Sequence, residues 1–345
     1  MADGNLNHPP IRPADHFLLV TIDTEGDDAW ARRRRVETRN AAFLPRVQAL
    51  CERHGVRPTY LTNYEMAMSP VFRALGHEVL RRDTAEIGMH LHAWHSPPDY
   101  PLTADDTHYH PYLVEYPVEI MRAKIAFMTD LLEETFGRKM ASHRAGRWSL
   151  NETYARLLVE HGYRADCSVT PHVSWRFVAG DPRRRGGTDY SRFPDTAYFV
   201  DLDDIARPGD SQLLEVPVTI VPARASLRRV VSFALPQRAT LQRAMNRLFP
   251  LRWLRPNGRN LPDLLRVVDR AVVERRRYIE LMLHSSELMP GGSPTFRTVA
   301  SIETLYDHLE RLFAHAARFF RGATLSQFDD LLRRRQQYAV GRLSA

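Results

Sequence analysis

Cysteine is almost absent: the 345 residues contain only Cys51 and Cys167. Two thiols do not make a disulfide framework. Cys51 falls in a helical pattern and Cys167 beside a strand, so both read as buried thiols. Lysine is equally scarce, since of 48 basic residues only Lys124 and Lys139 are not arginine. Such a skew is the mark of a GC-rich genome, so the net charge of +7 is discounted as a nucleic-acid signature. No zinc-finger or RNP motif accompanies it, and no nucleic-acid partner is expected. No run approaches the roughly 18 apolar residues of a membrane span. The apolar segment 17–20 is too short for a signal-peptide core, so a cytoplasmic location is expected. What remains is 43% hydrophobic and 26% charged, ordinary for a soluble globular chain with a sizeable core.

The apolar pattern predicts alternating strands and helices. Strands are expected at 17–22, 58–62, 85–92, 213–220 and 278–284, and strands followed by their exit loops at 141–148 and 163–171. Helices are expected at 40–54, 69–82, 117–136, 151–161, 261–277 and 302–320, with a final strand-turn-helix piece at 323–335. Asn151 is a candidate N-cap. Residues 96–116 read as a long loop, the kind that lines functional grooves. Residues 32–35 form a basic run, and residues 176–212 read as irregular. The expected organisation is one domain over 16–335 between tails at 1–15 and 336–345. Within it, residues 217–262 form a basic insertion with nine arginines and no acid.

Ionisable residues recur where strands end: Asp23 and Glu25, then His90 and His92, then Arg144, Asp166 and His284. That recurrence points to a parallel β/α barrel or a doubly wound sheet, with one site collecting them. His90 and His92 alternate with Met89 and Leu91, so they share a face of the strand. His95 follows in the exit loop. One carboxylate with two or three imidazoles suits Zn²⁺ or a similar divalent ion. A second carboxylate could deprotonate water, and a separate His could protonate a leaving amine. Such a set serves metal-assisted hydrolysis of an amide or ester. Arg144 and Arg147 could grip a carboxylate, because a guanidinium fits one with two parallel bonds.

Five stretches carry a family resemblance. They are Thr21-Ile-Asp-Thr-Glu-Gly26, Glu86-Ile-Gly-Met-His-Leu-His-Ala-Trp94, Arg144-Ala-Gly-Arg-Trp148, Asp166-Cys-Ser-Val-Thr-Pro171 and Leu283-His-Ser-Ser-Glu-Leu288. In that order, over about residues 17 to 330, the chain resembles the polysaccharide deacetylases of the NodB-homology group, carbohydrate esterase family four. It is most similar to the divergent branch tied to lipopolysaccharide and capsule biosynthesis. The resemblance implies an α/β fold, a distorted (β/α)7 barrel, and a divalent metal, usually zinc. It makes Asp23 the general base, Glu25 a metal ligand and His90 the first His ligand. It makes Arg144 the holder of the base and His284 the general acid, oriented by Asp166.

Two departures stand out. The family carries two adjacent Asp where this chain has Asp23-Thr-Glu25. The family's second His would fall at position 94, which is Trp, so His92 or His95 must stand in. The strand face favours His92. The activity so implied is removal of an N-acetyl or other N-acyl group from an amino sugar in a glycan precursor, a nucleotide sugar or a lipid-linked glycan. The basic 217–262 stretch would allow peripheral contact with an anionic membrane surface. Two other readings stay open: a hydrolase of non-sugar amides, ureides or formamides, and a metal-free carbohydrate-binding pseudoenzyme in a glycan-assembly complex.

Overall fold

The computed structural model describes residues 16–28, 30, 36–178, 180, 186–223 and 247–343. The expected N-terminal tail, the 32–35 run and the middle of the basic insertion lie outside the described residues. Twelve strands are described: β1 (Phe17–Thr24), β2 (Thr59–Thr62), β3 (Glu86–Leu91), β4 (Ser142–Ala145), β5 (Ala165–Asp166), β6 (Tyr198–Asp201), β7 (Asp204–Pro208), β8 (Leu214–Glu215), β9 (Ile220–Pro222), β10 (Leu251–Trp253), β11 (Tyr278–His284) and β12 (Arg321–Ala323). The helices are α1 (Leu44–Arg53), α2 (Tyr64–Met68), α3 (Pro70–Arg81), α4 (Asp106–Tyr109), α5 (Val118–Phe136), α6 (Glu152–Glu160), α7 (Leu261–Val273), α8 (Val299–Ala316) and α9 (Leu325–Leu343). Among the described residues no helix is long and apolar enough to cross a membrane.

Seven strands run parallel in the order β11-β1-β2-β3-β4-β5-β8, the (β/α)7 arrangement. The ladder is open between β8 and β11. There the Tyr278 hydroxyl donates to the Pro217 carbonyl at 2.8 Å, and the Glu280 amide donates to Thr219 Oγ1 at 2.8 Å. Pro217 explains why the expected 213–220 strand is split. It has no N–H for a ladder, so β8 ends at Glu215 and the chain resumes as β9, paired antiparallel with β10. The region expected to be irregular contains the β6–β7 hairpin, which extends the sheet from β8. Within the expected strand and polar exit at 163–171, Ala165 and Asp166 make the ladder pairs. Inside the 96–116 loop a short helix, α4, forms.

The central strands alternate two chemistries. On β1, Leu18, Val20 and Ile22 pack outward in the main core under the helices. Phe17 and Leu19 point inward, among Leu61, Cys167, Leu214 and Tyr278. The inner face of β1 then turns polar, at Thr21 and Asp23. On β11, Ile279, Leu281 and Leu283 face the helices, while Tyr278, Glu280, Met282 and His284 lie on the other face. Apolar residues therefore plug the N-terminal end of the barrel, and charge collects at its C-terminal end. Asn151 caps α6 as expected, accepting from the Tyr154 amide at 2.9 Å.

Lys124 shows how the loop after β3 is held. It lies on α5, only 1% exposed. Its ammonium donates to the carbonyls of Ser96 and Pro98, at 2.5 and 2.7 Å. Burial lowers its pKa to about 8, against the opposing pull of Asp99 and Asp106. An unfolded lysine titrates at about 10.4, so across that window the unfolded chain binds more protons. Stability conferred by Lys124 should therefore rise with pH from about 8 towards 10.4. Urea unfolding of wild type and Lys124→Met across that range checks this: the difference in ΔG should change with pH. A constant difference would refute it.

Candidate active site and metal centre

Three side chains converge at the C-terminal end of β1 and β3. Glu25 Oε2 lies 2.9 Å from His92 Nε2 and 3.6 Å from His90 Nε2, and the two imidazole nitrogens are 3.1 Å apart. Tetrahedral ligands on bonds of about 2.0–2.1 Å would sit roughly 3.3 Å from one another. The donor set therefore fits a small divalent ion such as Zn²⁺. His90 Nδ1 is 3.0 Å from the Arg144 carbonyl, which can only accept. That bond puts the ring proton on Nδ1 and leaves the Nε2 lone pair facing the cluster, as a metal-binding His requires.

Local sequence explains the convergence. Period-two alternation puts His90 and His92 on one face. Glu25 just follows β1, and its backbone is anchored on both sides. Its N–H donates to Ser285 Oγ at 3.1 Å, and its carbonyl accepts from Ser285 Oγ at 3.0 Å and Asn40 Nδ2 at 2.9 Å. Behind His92 only glycine fits: a Cβ at Gly146 would strike the Leu91 carbonyl and lie 2.8 Å from His92 Nδ1.

Asp23 stands beside the cluster. Arg144 Nη1 donates to Asp23 Oδ1 at 2.6 Å, and Nη2 donates to Thr21 Oγ1 at 2.8 Å and Glu280 Oε1 at 2.5 Å. Arg144 Nε donates to the Cys167 carbonyl at 3.0 Å. Arg144 is fully buried. Burial pushes the Asp23 carboxyl up, but Arg144, His90 and His284 outweigh it and hold it below its usual range. Glu25 is likewise pushed up by burial and pulled well below its usual value, chiefly by hydrogen bonds to His90 and His92. Glu280 goes the other way, since burial there exceeds the pull of Arg144. His284, ending β11, places Nε2 at 3.8 Å from Asp23 Oδ2 and 3.6 Å from Glu25 Oε1.

The structure thus brings together Asp23, Glu25, His90, His92, Arg144 and His284. Two expected site residues are placed elsewhere. His95 turns away to hydrogen-bond with Glu65, because the loop leaves the strand at His92 and carries the next imidazole onto α2. Asp166 does not reach His284. Its carboxylate accepts from His143 Nδ1 at 2.6 Å and from the Ser168 amide at 2.9 Å. There it adjoins Glu215, whose carboxyl burial and Asp166 push well above its usual range. The partners of His284 are instead Arg255 and Glu287. Glu287 had a sequence signal: it stands three residues after His284, the spacing of a capping box, and its carboxylate accepts the His284 amide at 2.9 Å. Glu280 also had one, four residues before His284 on the same strand face.

Three tryptophans stand against the cluster. The Trp30 ring is 4.9 Å from the His284 ring, Trp94 is 4.5 Å from His92, and Trp148 lies 4.8 Å from the Arg144 guanidinium carbon. Arg147 and Trp148 both adopt left-handed backbone, at φ 54° and 59°. Side chains other than glycine rarely do so, and such strain gathers at functional sites.

Removing the guanidinium should show what it holds. Arg144→Met leaves Asp23 and Glu280 buried without their shared cation, which should cost about 3–5 kcal/mol. Chemical denaturation at neutral pH measures this, and a loss below about 1 kcal/mol would mean that the network relaxes without it.

No family model matches the sequence, and no curated protein matches it. Solved structures do. A putative polysaccharide deacetylase from Mycobacterium smegmatis aligns over 95% of this chain and 94% of its own, at 16% identity and a TM-score of 0.50. A putative glycoside hydrolase/deacetylase from Parabacteroides distasonis aligns over 95% of this chain and 73% of its own, at 11% identity and a TM-score of 0.60. With its seven parallel strands and its site at their C-terminal ends, the chain has the fold of the polysaccharide deacetylases.

Proposed function

We propose that the chain is a metal-dependent hydrolase that removes an N-acetyl or other N-acyl group from an amino sugar. The observation that carries this is one cluster that joins the Glu25–His90–His92 triad, the arginine-held carboxylate of Asp23 and Nε2 of His284. Glu25, His90 and His92 would hold the ion, with Zn²⁺ the best match to two imidazoles and one carboxylate. When bound, such an ion polarises a carbonyl and lowers the pKa of water. Asp23, kept ionised by Arg144, accepts the proton of the attacking water at Oδ2, the oxygen turned towards His284. His284 supplies a proton from Nε2 to the departing nitrogen. Arg144 keeps the base from swinging, which matters because a positioned base works only within hydrogen-bond reach. Trp30, Trp94 and Trp148 offer flat apolar faces on which a sugar ring can stack.

For the natural substrate we favour a glycan precursor bearing phosphate, a nucleotide sugar or a lipid-linked glycan at the inner membrane face. The nine arginines of residues 217–262, with no acid among them, support an anionic ligand or headgroup.

Metal analysis and acyl release from N-acetylated amino sugars test the reading. About one divalent ion per chain is expected, lost in His90→Ala/His92→Ala and kept in His95→Ala. Asp23→Asn and His284→Ala should each lose about 10²–10⁴-fold in rate while staying folded. Near-wild-type turnover in either variant, or no ion bound after zinc is added, would sink the proposal. Gly146→Ala should weaken zinc binding about 10–100-fold by displacing His92, as read by competition with a chelating dye. Unchanged affinity would show that His92 is not a ligand.

A further inference from the structure

Two carboxyls that the reaction does not use meet where β5 pairs with β8. Asp166 and Glu215 are register partners across that seam, and Glu215 is paired on its other side with Tyr198 of β6. Their strand neighbours Ala165, Cys167, Leu214 and Val216 point into the barrel. By alternation both carboxyls point the other way, to the outer face. Both are fully buried.

Asp166 is well supplied with donors. Oδ1 accepts from His143 Nδ1 at 2.6 Å and from Ser168 Oγ at 3.0 Å, and Oδ2 accepts from the Ser168 amide at 2.9 Å. Glu215 is not. Oε1 accepts from the Val169 amide at 2.9 Å, while Oε2 is buried with no donor. The hydroxyls around the pair are committed elsewhere. Tyr198 donates to the Ile205 carbonyl at 2.7 Å, Tyr190 to the Trp148 carbonyl at 2.6 Å and Tyr278 to the Pro217 carbonyl at 2.8 Å. Tyr154 of α6 is bonded to His143 Nε2 at 2.9 Å. The other titratable groups nearby, Cys167 and Glu280, bring no positive charge. Arg164 and Arg333, which flank the seam, are bonded to Asp330 and Asp329 of α9. Among the described residues no arginine or lysine bonds to either carboxyl. His143 is pushed below its usual range, chiefly by burial. As a neutral ring it donates at Nδ1 to Asp166 and accepts at Nε2 from Tyr154.

Two ionised carboxylates side by side here would repel, with no cation between them. One proton removes the repulsion and supplies the missing donor. Glu215 is the group to carry it, since Asp166 already has its donors. The direction of the shifts agrees. Burial and then Asp166 push Glu215 well up. Burial also pushes Asp166 up, but the bond from His143 outweighs it and holds it low. The seam has little else to hold it, because β5 and β8 share only two register pairs, Ala165 with Leu214 and Asp166 with Glu215.

We propose that the β5–β8 seam is a proton lock: one hydrogen, carried by Glu215 and donated to Asp166, fastens β8 to the barrel, and the seam weakens as rising pH removes it. β8 carries the β6–β7 hairpin. Cys167, next to Asp166, gives its carbonyl to Arg144. The lock does not depend on the hydrolase reading.

Infrared spectroscopy of the full chain at pH 7 and urea unfolding from pH 5 to 9 test it, on wild type and Glu215→Gln. Wild type should show a carboxylic acid C=O band that is weaker in the variant. Gln should fold, because its amide donates to Asp166 as the proton does and its oxygen accepts from Val169. A free Glu titrates at about 4.3. Above that value the unfolded chain has lost a proton that the folded chain keeps. The folding constant of wild type relative to Glu215→Gln should therefore fall about tenfold per pH unit until Glu215 ionises in the folded state. A ratio that stays constant with pH overturns the proposal. So does an acid band that is absent from wild type or undiminished in the variant, and so does failure of Glu215→Gln to fold.

Discussion

The site hangs on one buried guanidinium. Arg144 leaves β4, crosses the barrel and ties Asp23 of β1 to Glu280 of β11. Its backbone carbonyl meanwhile orients His90 of β3. A single residue thus links the candidate base, a candidate ligand and the strand that carries His284. Burying such a group is costly. The expense is offset because Asp23, Glu280, Thr21 and the Cys167 carbonyl take up its donors. The result is a preorganised field: burial pushes the Asp23 carboxyl up, and Arg144 with His90 and His284 holds it below its usual range. Charges fixed in advance need not reorganise when a reaction begins.

Barrel geometry makes this arrangement economical. Inward-facing residues of β1 run from apolar to polar along the strand, and on both β1 and β11 the same alternation that packs the barrel delivers Asp23 and His284 to its C-terminal end. The register pairs those two residues directly across β1 and β11. Likewise His90 and Arg144 are register partners across β3 and β4. Loops add what strands cannot reach. The Glu25 backbone is clamped by Ser285 and Asn40, and Arg255 arrives from the stretch after β10.

Much of this was legible in the chain because it depends on short-range periodicity. Asp23, His90, Arg144 and His284 announce themselves as polar residues closing apolar strands, and the face shared by His90 and His92 follows from a period of two. The structure places His95, the alternative to His92, and Asp166 away from the cluster for a common reason. Each lies at or past a strand end, where side-chain direction is set by the loop and by which partner lies nearest. Glu65 captures the first, and His143 with Ser168 captures the second. Glu65 and His143 lie 30 and 23 residues from the groups they capture, and Ser168 alone is a sequence neighbour.

The sequence by itself determined the alternation of strands and helices, the clustering of ionisable groups at strand ends, and a donor set suited to a divalent ion. Those follow from local stereochemistry and from what each side chain can donate or accept. Only the tertiary structure decided which His completes the triad, that Arg144 holds Glu280 as well as Asp23, and that Arg255 and Glu287 attend His284. Those contacts join residues from 29 to 136 positions apart, Glu287 excepted. Their pairing is chosen by strand order, by register and by the need to satisfy every buried charge, none of which a single stretch of chain encodes.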